Sequence, residues 1–389
     1  MGYYIGRERK ARKAYGFDEV ALVPGNKTID PEDVDISWKI GDFTFSIPIL
    51  ASAMDGVVDV GFAIKMGKLG GLAVLNLGGI QTRYENPQKV IEEIIHSSPK
   101  EAVEIIQKIY KEPIKDELIE KRVKEIKKEN VPVAVSCIPQ EAERLGPLAQ
   151  KAGADIFVVQ ATVATARYIS SRKKALDFKT FCQKMSIPVI AGNCVTYEAA
   201  YELMETGVDA ILVGVGPGAA CTTREVLGVG VPQVTATIDV AVARDDYLKQ
   251  SGRYVSIITD GGMRTGGDIC KALASGADAV MIGSAFARAK EAPGKGYHWG
   301  MATSDENLPR GARVWVGTTG TLKEILYGPA RLDDGSQNLA WAIKTSMGYC
   351  GVSNIREMHK VEMVIAPSIK SEGKFFQETQ RLITRKREG

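Results

Sequence analysis

Three four-residue segments of one pattern punctuate the middle of this chain: Ala152-Gly-Ala-Asp155, Thr206-Gly-Val-Asp209 and Ser275-Gly-Ala-Asp278. Each stands between an amphipathic stretch and an aliphatic run, where a helix ends on a left-handed glycine and the chain turns into a buried strand. Repetition of that turn commits the chain to parallel strands separated by helices. Eight aliphatic runs fit the scheme: 47–54, 71–77, 131–138, 155–161, 188–193, 209–215, 255–261 and 279–285. Eight units predict an α/β fold closed into a (β/α)8 TIM barrel, rather than an open doubly wound sheet of fewer strands. In such a barrel the functional residues sit just after the strands, at their C-terminal ends.

The 389 residues are read as one catalytic domain with four additions to the bare barrel. Residues 1–46 form an N-terminal extension. Residues 92–130 are rich in Lys and Glu, with apolar positions at helical spacing (Val103, Ile106, Ile109; Ile119, Val123, Ile126). They predict two exposed helices connecting the second and third units, a charged partner-binding module being the alternative. Residues 286–350 are too long for a barrel loop and predict a mobile active-site flap after strand eight. Residues 351–389 are a C-terminal segment.

A net charge of +3 implies neither nucleic acid nor an acidic membrane surface as partner. The six cysteines (137, 182, 194, 221, 270, 350) contain no C-x-x-C pair, so no zinc site or disulfide framework is indicated and a reducing, cytoplasmic setting is expected. The basic N-terminus lacks the apolar core of a secretory signal, and Gly6 counts against myristoylation. No apolar run reaches the length of a membrane span.

Chemistry concentrates in the stretch from Gly214 to Val226, after the sixth strand. Glycines at 214, 216 and 218 allow a tight turn that aims backbone groups at a ligand. Cys221 then stands at the mouth of a helical segment, where peptide dipoles favour the thiolate. A glycine-rich turn with a buried, inert cysteine is the alternative. Asp260-Gly-Gly262 closes the seventh strand and Gly283-Ser284 the eighth, where barrels commonly cradle a phosphate. Asp260 is placed to accept hydrogen bonds from a ribose diol, or else to cap the following helix. The glycines at 214–218 do not match a dinucleotide fingerprint, so any nicotinamide cofactor is held without a Rossmann unit. Thr222 and Thr223 are candidates to relay protons beside the thiol.

The chain resembles the IMP dehydrogenase/GMP reductase family over nearly its whole length, in the short branch without CBS modules. The matching motifs are Phe17-Asp-Glu-Val-Ala-Leu-Val-Pro24, Ser52-Ala-Met-Asp55, Gly192-Asn-Cys-Val-Thr196, Gly216-Pro-Gly-Ala-Ala-Cys-Thr-Thr-Arg224, Asp260-Gly-Gly262, Met281-Ile-Gly-Ser284 and Gly300-Met301. The resemblance implies that Cys221 attacks C2 of a purine nucleotide, with Thr223 as proton-relay partner. It places Ser52, Met54, Asp260, Gly262, Gly283, Ser284, His298, Gly300 and Met301 around the substrate, and Asn193, Gln160, Thr162 and Gly214 around NAD. It implies a K+ ion on the carbonyls of Gly216, Gly218 and Cys221, completed across a subunit boundary by Glu372 and Gly373. A homotetramer, pairing in some cases to an octamer, is implied as well.

The expected activity is an NAD-dependent IMP dehydrogenase, oxidising IMP to XMP in guanine nucleotide biosynthesis. GMP reductase is the alternative, because Cys-Thr-Thr-Arg followed by Gly228-Val-Gly-Val-Pro-Gln233 resembles that branch locally. A non-catalytic nucleotide-binding homologue and a flavin-dependent barrel oxidoreductase complete the readings. Departures from the family pattern are Ala219 for a phosphate-binding serine, Gln160 for a cofactor-binding aspartate and His298 for a phosphate-binding tyrosine. The flap's Arg-Tyr pair is missing, which leaves Arg310, Arg313 and Glu306 as candidates to activate the hydrolytic water.

Overall fold

Each of the three repeated aspartates clasps the strand before its own. Asp155 donates its N–H to the Val133 carbonyl at 2.8 Å and accepts the Val133 N–H on Oδ2 at 2.9 Å. Asp209 does the same to Val189, at 2.7 and 2.8 Å, and Asp278 to Ile257, at 2.8 and 2.8 Å. The glycine two residues earlier lies at φ 107°, 99° or 105°, a region that costs other residues strain. The repeat therefore locks pairs of strands at their N-terminal ends.

A computed structural model describes residues 2–171, 174–300, 312–366 and, near the C-terminus, 377, 379 and 380. All eight expected runs contain a strand: β1 (Ile49–Ala51), β2 (Leu72–Asn76), β3 (Ala134–Cys137), β4 (Ile156–Gln160), β5 (Val189–Cys194), β6 (Ala210–Val213), β7 (Ser256–Asp260) and β8 (Ala279–Ile282). They pair in parallel in chain order, and β8 closes on β1 with Met281 opposite Leu50, so the sheet is a TIM barrel. Alternate side chains face inward. Leu50, Leu72, Val74, Ile156, Val158, Ile190, Leu212, Ile258 and Met281 fill the interior. A hairpin from the N-terminal extension, Trp38–Ile40 with Phe43–Phe45, seals the bottom. Its Trp38 and Phe45 rings stack at 5.3 Å.

The outer ring comprises α1 (Val60–Lys68), α2 (Asp116–Lys127), α3 (Pro139–Ala152), α4 (Phe178–Lys184), α5 (Tyr197–Glu205), α6 (Gln233–Ser251), α7 (Gly266–Ala274) and α8 (Leu339–Tyr349). Asp59, Asp177, Thr196 and Thr265 start α1, α4, α5 and α7 by accepting a first-turn N–H on the side chain. The extension is part of the same body. Its strand Val20–Leu22 pairs antiparallel with Met363–Ile365 near the other end of the chain.

Two expectations change. The stretch read as two exposed helices holds parts of three: Pro87–His96, Ala102–Ile109 and α2. The last is a barrel helix with Leu118, Ile119, Val123 and Ile126 buried. The first two bury Ile91, Ile94, Ile106 and Ile109 against Trp299, almost two hundred residues away. Residues 286–350 are not one flap either, since helix Leu322–Tyr327 and α8 are packed on the barrel. What projects over the barrel is a hairpin, Tyr297–Trp299 paired with Arg313–Trp315, and residues 301–311 between its strands are outside those described.

Candidate active site

At the C-terminal ends of the strands the expected residues converge. Ser52 and Met54 follow β1, Gln160 ends β4 with Thr162 just beyond, and Asn193 lies in β5. Gly214, Gly216 and Gly218 lead from β6 to Cys221 and Thr223. Asp260 ends β7 ahead of Gly262, and Gly283 and Ser284 follow β8. His298 and Gly300 reach in from the hairpin, and all of these residues line one cavity. Met301, Glu306, Arg310, Glu372 and Gly373 lie outside the described residues.

Cys221 is exposed, whereas Cys137, Cys194 and Cys270 are buried, and burial pushes those three thiols up. Cys221 is therefore not the buried cysteine of the alternative reading. Its Sγ lies 3.2 Å from Oγ1 of Thr223, the first residue of the short helix Thr223–Leu227. The loop is tied at both ends by one side chain: Arg224 donates from Nε to the Val215 carbonyl at 3.0 Å and from Nη2 to the Val231 carbonyl at 2.6 Å. Gly216, at φ 75°, is required there, because a Cβ would come within 2.5 Å of the Arg224 Cγ.

Across the cavity, Asp260 Oδ2 accepts from Asn193 Nδ2 at 2.8 Å and from Gln160 Nε2 at 3.0 Å. Burial raises the carboxyl to about 6, against the lowering effect of those two donors. The amide at 160 supplies a donor to Asp260 where a carboxylate would face it as a like charge. Gln233, at the start of α6, donates Nε2 to the carbonyls of Val213 and Asp260 at 2.8 and 2.9 Å, binding the ends of β6 and β7 together. At the rim, His298 Nε2 and Ser284 Oγ are 2.8 Å apart. Burial pushes His298 down to about 4, so its ring is neutral near pH 7.

Arg313 is not available to a water in this cavity. Its guanidinium donates to the carbonyls of Ile94, Ile95 and Ser97 and to Ser97 Oγ, at the C-terminal end of helix Pro87–His96. Of the polar groups that sequence reasoning left out, Gln233 and Arg224 stand inside or beside quoted motifs and Asp55 ends one. Tyr110 and Trp299 carried no local signal. Among the described residues no group of three or more His, Cys, Asp or Glu is placed to hold a metal ion, and no helix is long and apolar enough to cross a membrane.

Comparison with known proteins agrees with this geometry. The family model for the IMP dehydrogenase / GMP reductase domain matches residues 14–379. An uncharacterized oxidoreductase of Mycolicibacterium smegmatis is 36% identical, over 93% of this chain and 99% of its own. Inosine-5'-monophosphate dehydrogenase of Methanocaldococcus jannaschii is 29% identical over 92% of this chain and 94% of its own. The crystal structure of an IMP dehydrogenase/GMP reductase-like protein from Corynebacterium glutamicum superposes with a TM-score of 0.89 at 34% identity, covering 94% of this chain and 97% of that one. A closed eight-stranded barrel, a cysteine loop after β6 and a match along almost the entire sequence establish that the chain belongs to the IMP dehydrogenase/GMP reductase family of oxidoreductases.

Proposed function

We propose that the protein is a nicotinamide-dependent purine nucleotide oxidoreductase that oxidises IMP to XMP through a covalent bond to Cys221. The observation that carries this reading is one cavity with an exposed cysteine beside a threonine hydroxyl on one wall and the Asp260 trio and the Ser284–His298 rim around it. The carboxylate of Asp260 suits a ribose diol, which donates two hydrogen bonds. Backbone amides at Gly262, Gly283 and Ser284, with the Ser284 hydroxyl, suit a phosphate. With ribose and phosphate held there, the base would face the cysteine loop, which lines the same cavity.

The thiolate of Cys221 adds to C2 of the base, and C2 becomes tetrahedral and gives up hydride. A nicotinamide, if bound alongside, would supply the hydride acceptor. The neutral amides of Gln160 and Asn193 and the hydroxyl of Thr162 fit the donor and acceptor pattern of its carboxamide. Water then adds to the thioimidate, the C2–S bond breaks, and the sulfur leaves as a thiol. Thr223, in contact with the sulfur, is suited to pass the proton. The carbonyls of Gly216, Gly218 and Cys221 are oxygen donors of the kind a K+ ion takes, the one on Gly218 already accepting the Cys221 N–H at 3.0 Å. In that position an ion would hold the loop's shape. A homotetramer belongs to the same proposal.

GMP reduction by NADPH, with release of ammonia, is the second reading. Arg313 is committed to a helix end, so the hydrolytic step has no assigned base among the described residues, and the GMP reductase-like stretches Cys221–Arg224 and Gly228–Gln233 point the same way. Purified protein incubated with IMP, XMP or GMP and each of NAD, NADH, NADP and NADPH, followed at the absorbance of the reduced nicotinamide, separates these readings. IMP with an oxidised cofactor is expected to turn over. Activity with GMP and NADPH alone selects the second reading, and binding without turnover in any mixture overturns both. Cys221→Ala should lower turnover by at least about a thousandfold while nucleotide affinity changes little. Appreciable turnover in that variant removes the covalent mechanism.

A further inference from the structure

The helices Pro87–His96 and Ala102–Ile109 make no contribution to the barrel wall, yet they own a core. That core is completed by Trp299, fully buried, from the hairpin that overhangs the cavity. The contact is polar as well as apolar. Trp299 Nε1 donates to the Tyr110 hydroxyl at 3.0 Å, and that hydroxyl donates to Oδ2 of Asp55. Asp55 is 2% exposed, and its Oδ1 accepts the Ile80 N–H at 3.0 Å. Gly79 makes room for the carboxylate, since a Cβ there would come within 2.2 Å of it. Asp55 directly follows Met54, which lines the cavity.

Both strands of the hairpin are fastened at the same rung. Trp299 stands opposite Arg313, and Arg313 caps the C-terminal end of helix Pro87–His96. Immediately beyond that rung the backbone of Gly300 runs against the cysteine loop, where a Cβ would sit 3.3 Å from the Ala220 carbonyl, next to Cys221. On the near side His298 holds Ser284. The hairpin thus touches the site on one face and the inserted helices on the other.

We propose that the insertion spanning 87–110 is the seat of the hairpin strands Tyr297–Trp299 and Arg313–Trp315, and that Tyr110 is a positioning residue. Through Trp299 and Gly300 it sets where the cysteine loop stands, and through Asp55 it sets the turn carrying Met54. The proposal rests on Cys221 being the reactive group, but the placement of its loop can be measured without turnover.

The test uses the full-length protein with Tyr110→Phe, Trp299→Phe and the double variant. The first readout is amide exchange of a peptide containing Ala219–Thr223, in the absence of nucleotide. The second is alkylation of Cys221 by iodoacetamide, resolved from the other cysteines by peptide mass, and its protection by IMP or GMP. Each single variant is expected to speed exchange of the cysteine loop and to weaken nucleotide protection about tenfold, the size expected when a buried hydrogen bond is lost. The double variant should match Tyr110→Phe, because that variant already lacks the bond to Trp299 and differs from Trp299→Phe only in also releasing Asp55. A lowered melting temperature with unchanged loop exchange and unchanged protection overturns the proposal and leaves the contact merely structural. Additive effects overturn the route through Tyr110 and Trp299. Should Tyr110→Phe fail to fold, Trp299→Phe keeps an aromatic ring in place and decides alone. If Cys221→Ala retains turnover, the catalytic reading falls, whereas unchanged loop exchange in these variants sinks the positioning proposal.

Discussion

Asp260 combines two demands that pull its acidity in opposite directions. Burial at the end of β7 raises it from an ordinary value near 3.8 to about 6, and the amides of Asn193 and Gln160 restore part of the charge's support. A folded-state value above the unfolded one means that the native protein holds the extra proton between about pH 4 and 6. The residue therefore favours the fold most at low pH and loses that contribution as pH rises through 6. A ribose diol needs the carboxylate, so nucleotide binding has the opposite slope. Affinity measured by calorimetry should fall about tenfold between pH 7 and 5 in the native protein, as expected for one proton on a group near 6. It should be weaker in Asp260→Asn, with a shallower slope that reflects only groups common to both measurements, the nucleotide phosphate among them. Asp55 also stands at about 6 and is present in both proteins, so the difference isolates Asp260. A flat profile in the native protein would remove Asp260 from the ribose site.

Among the elements, the αβ turns show how a short sequence can settle local geometry. Asp209 accepts the Val189 N–H on Oδ2 and the Arg253 guanidinium at 2.9 Å on Oδ1, while its own N–H joins β5. Asp209→Ala strands a strand-end N–H and should lower unfolding free energy by about 1–3 kcal/mol, read from denaturant midpoints. Asp209→Asn keeps an acceptor and should cost less. Neither should alter nucleotide affinity, because the turn is at the opposite end of the strand from the cavity. Equal losses in both variants would mean that the charge pair with Arg253, rather than the clasp, does the stabilising. The inserted helices behave differently. Helical spacing of Ile106 and Ile109 was readable, but the partner for that stripe is Trp299, and no local pattern joins the two.

For the whole molecule, stability and chemistry occupy opposite ends of the barrel. The plug hairpin meets the strand starts: Ser256 Oγ, at the beginning of β7, lies 3.5 Å from the Lys39 carbonyl, and Gly41 abuts Pro188 just before β5. Trp38→Ala should cost about 3–5 kcal/mol, typical for deleting a buried aromatic side chain. It should leave the nucleotide dissociation constant unchanged within about twofold, an additive outcome for distant sites. A large loss of affinity would contradict that separation. Eight aliphatic runs and three glycine–aspartate turns determined the barrel by themselves, since strand burial and helix ends are set by residues a few positions apart. The same holds for the glycines and cysteine after β6, whose spacing is local. What only the tertiary structure decided is which distant side chains meet: Gln160 and Asn193 on Asp260, Arg313 on a helix end rather than in the cavity, and Trp299 on Tyr110. Those contacts join residues far apart in sequence, and only closing the barrel brings them within reach.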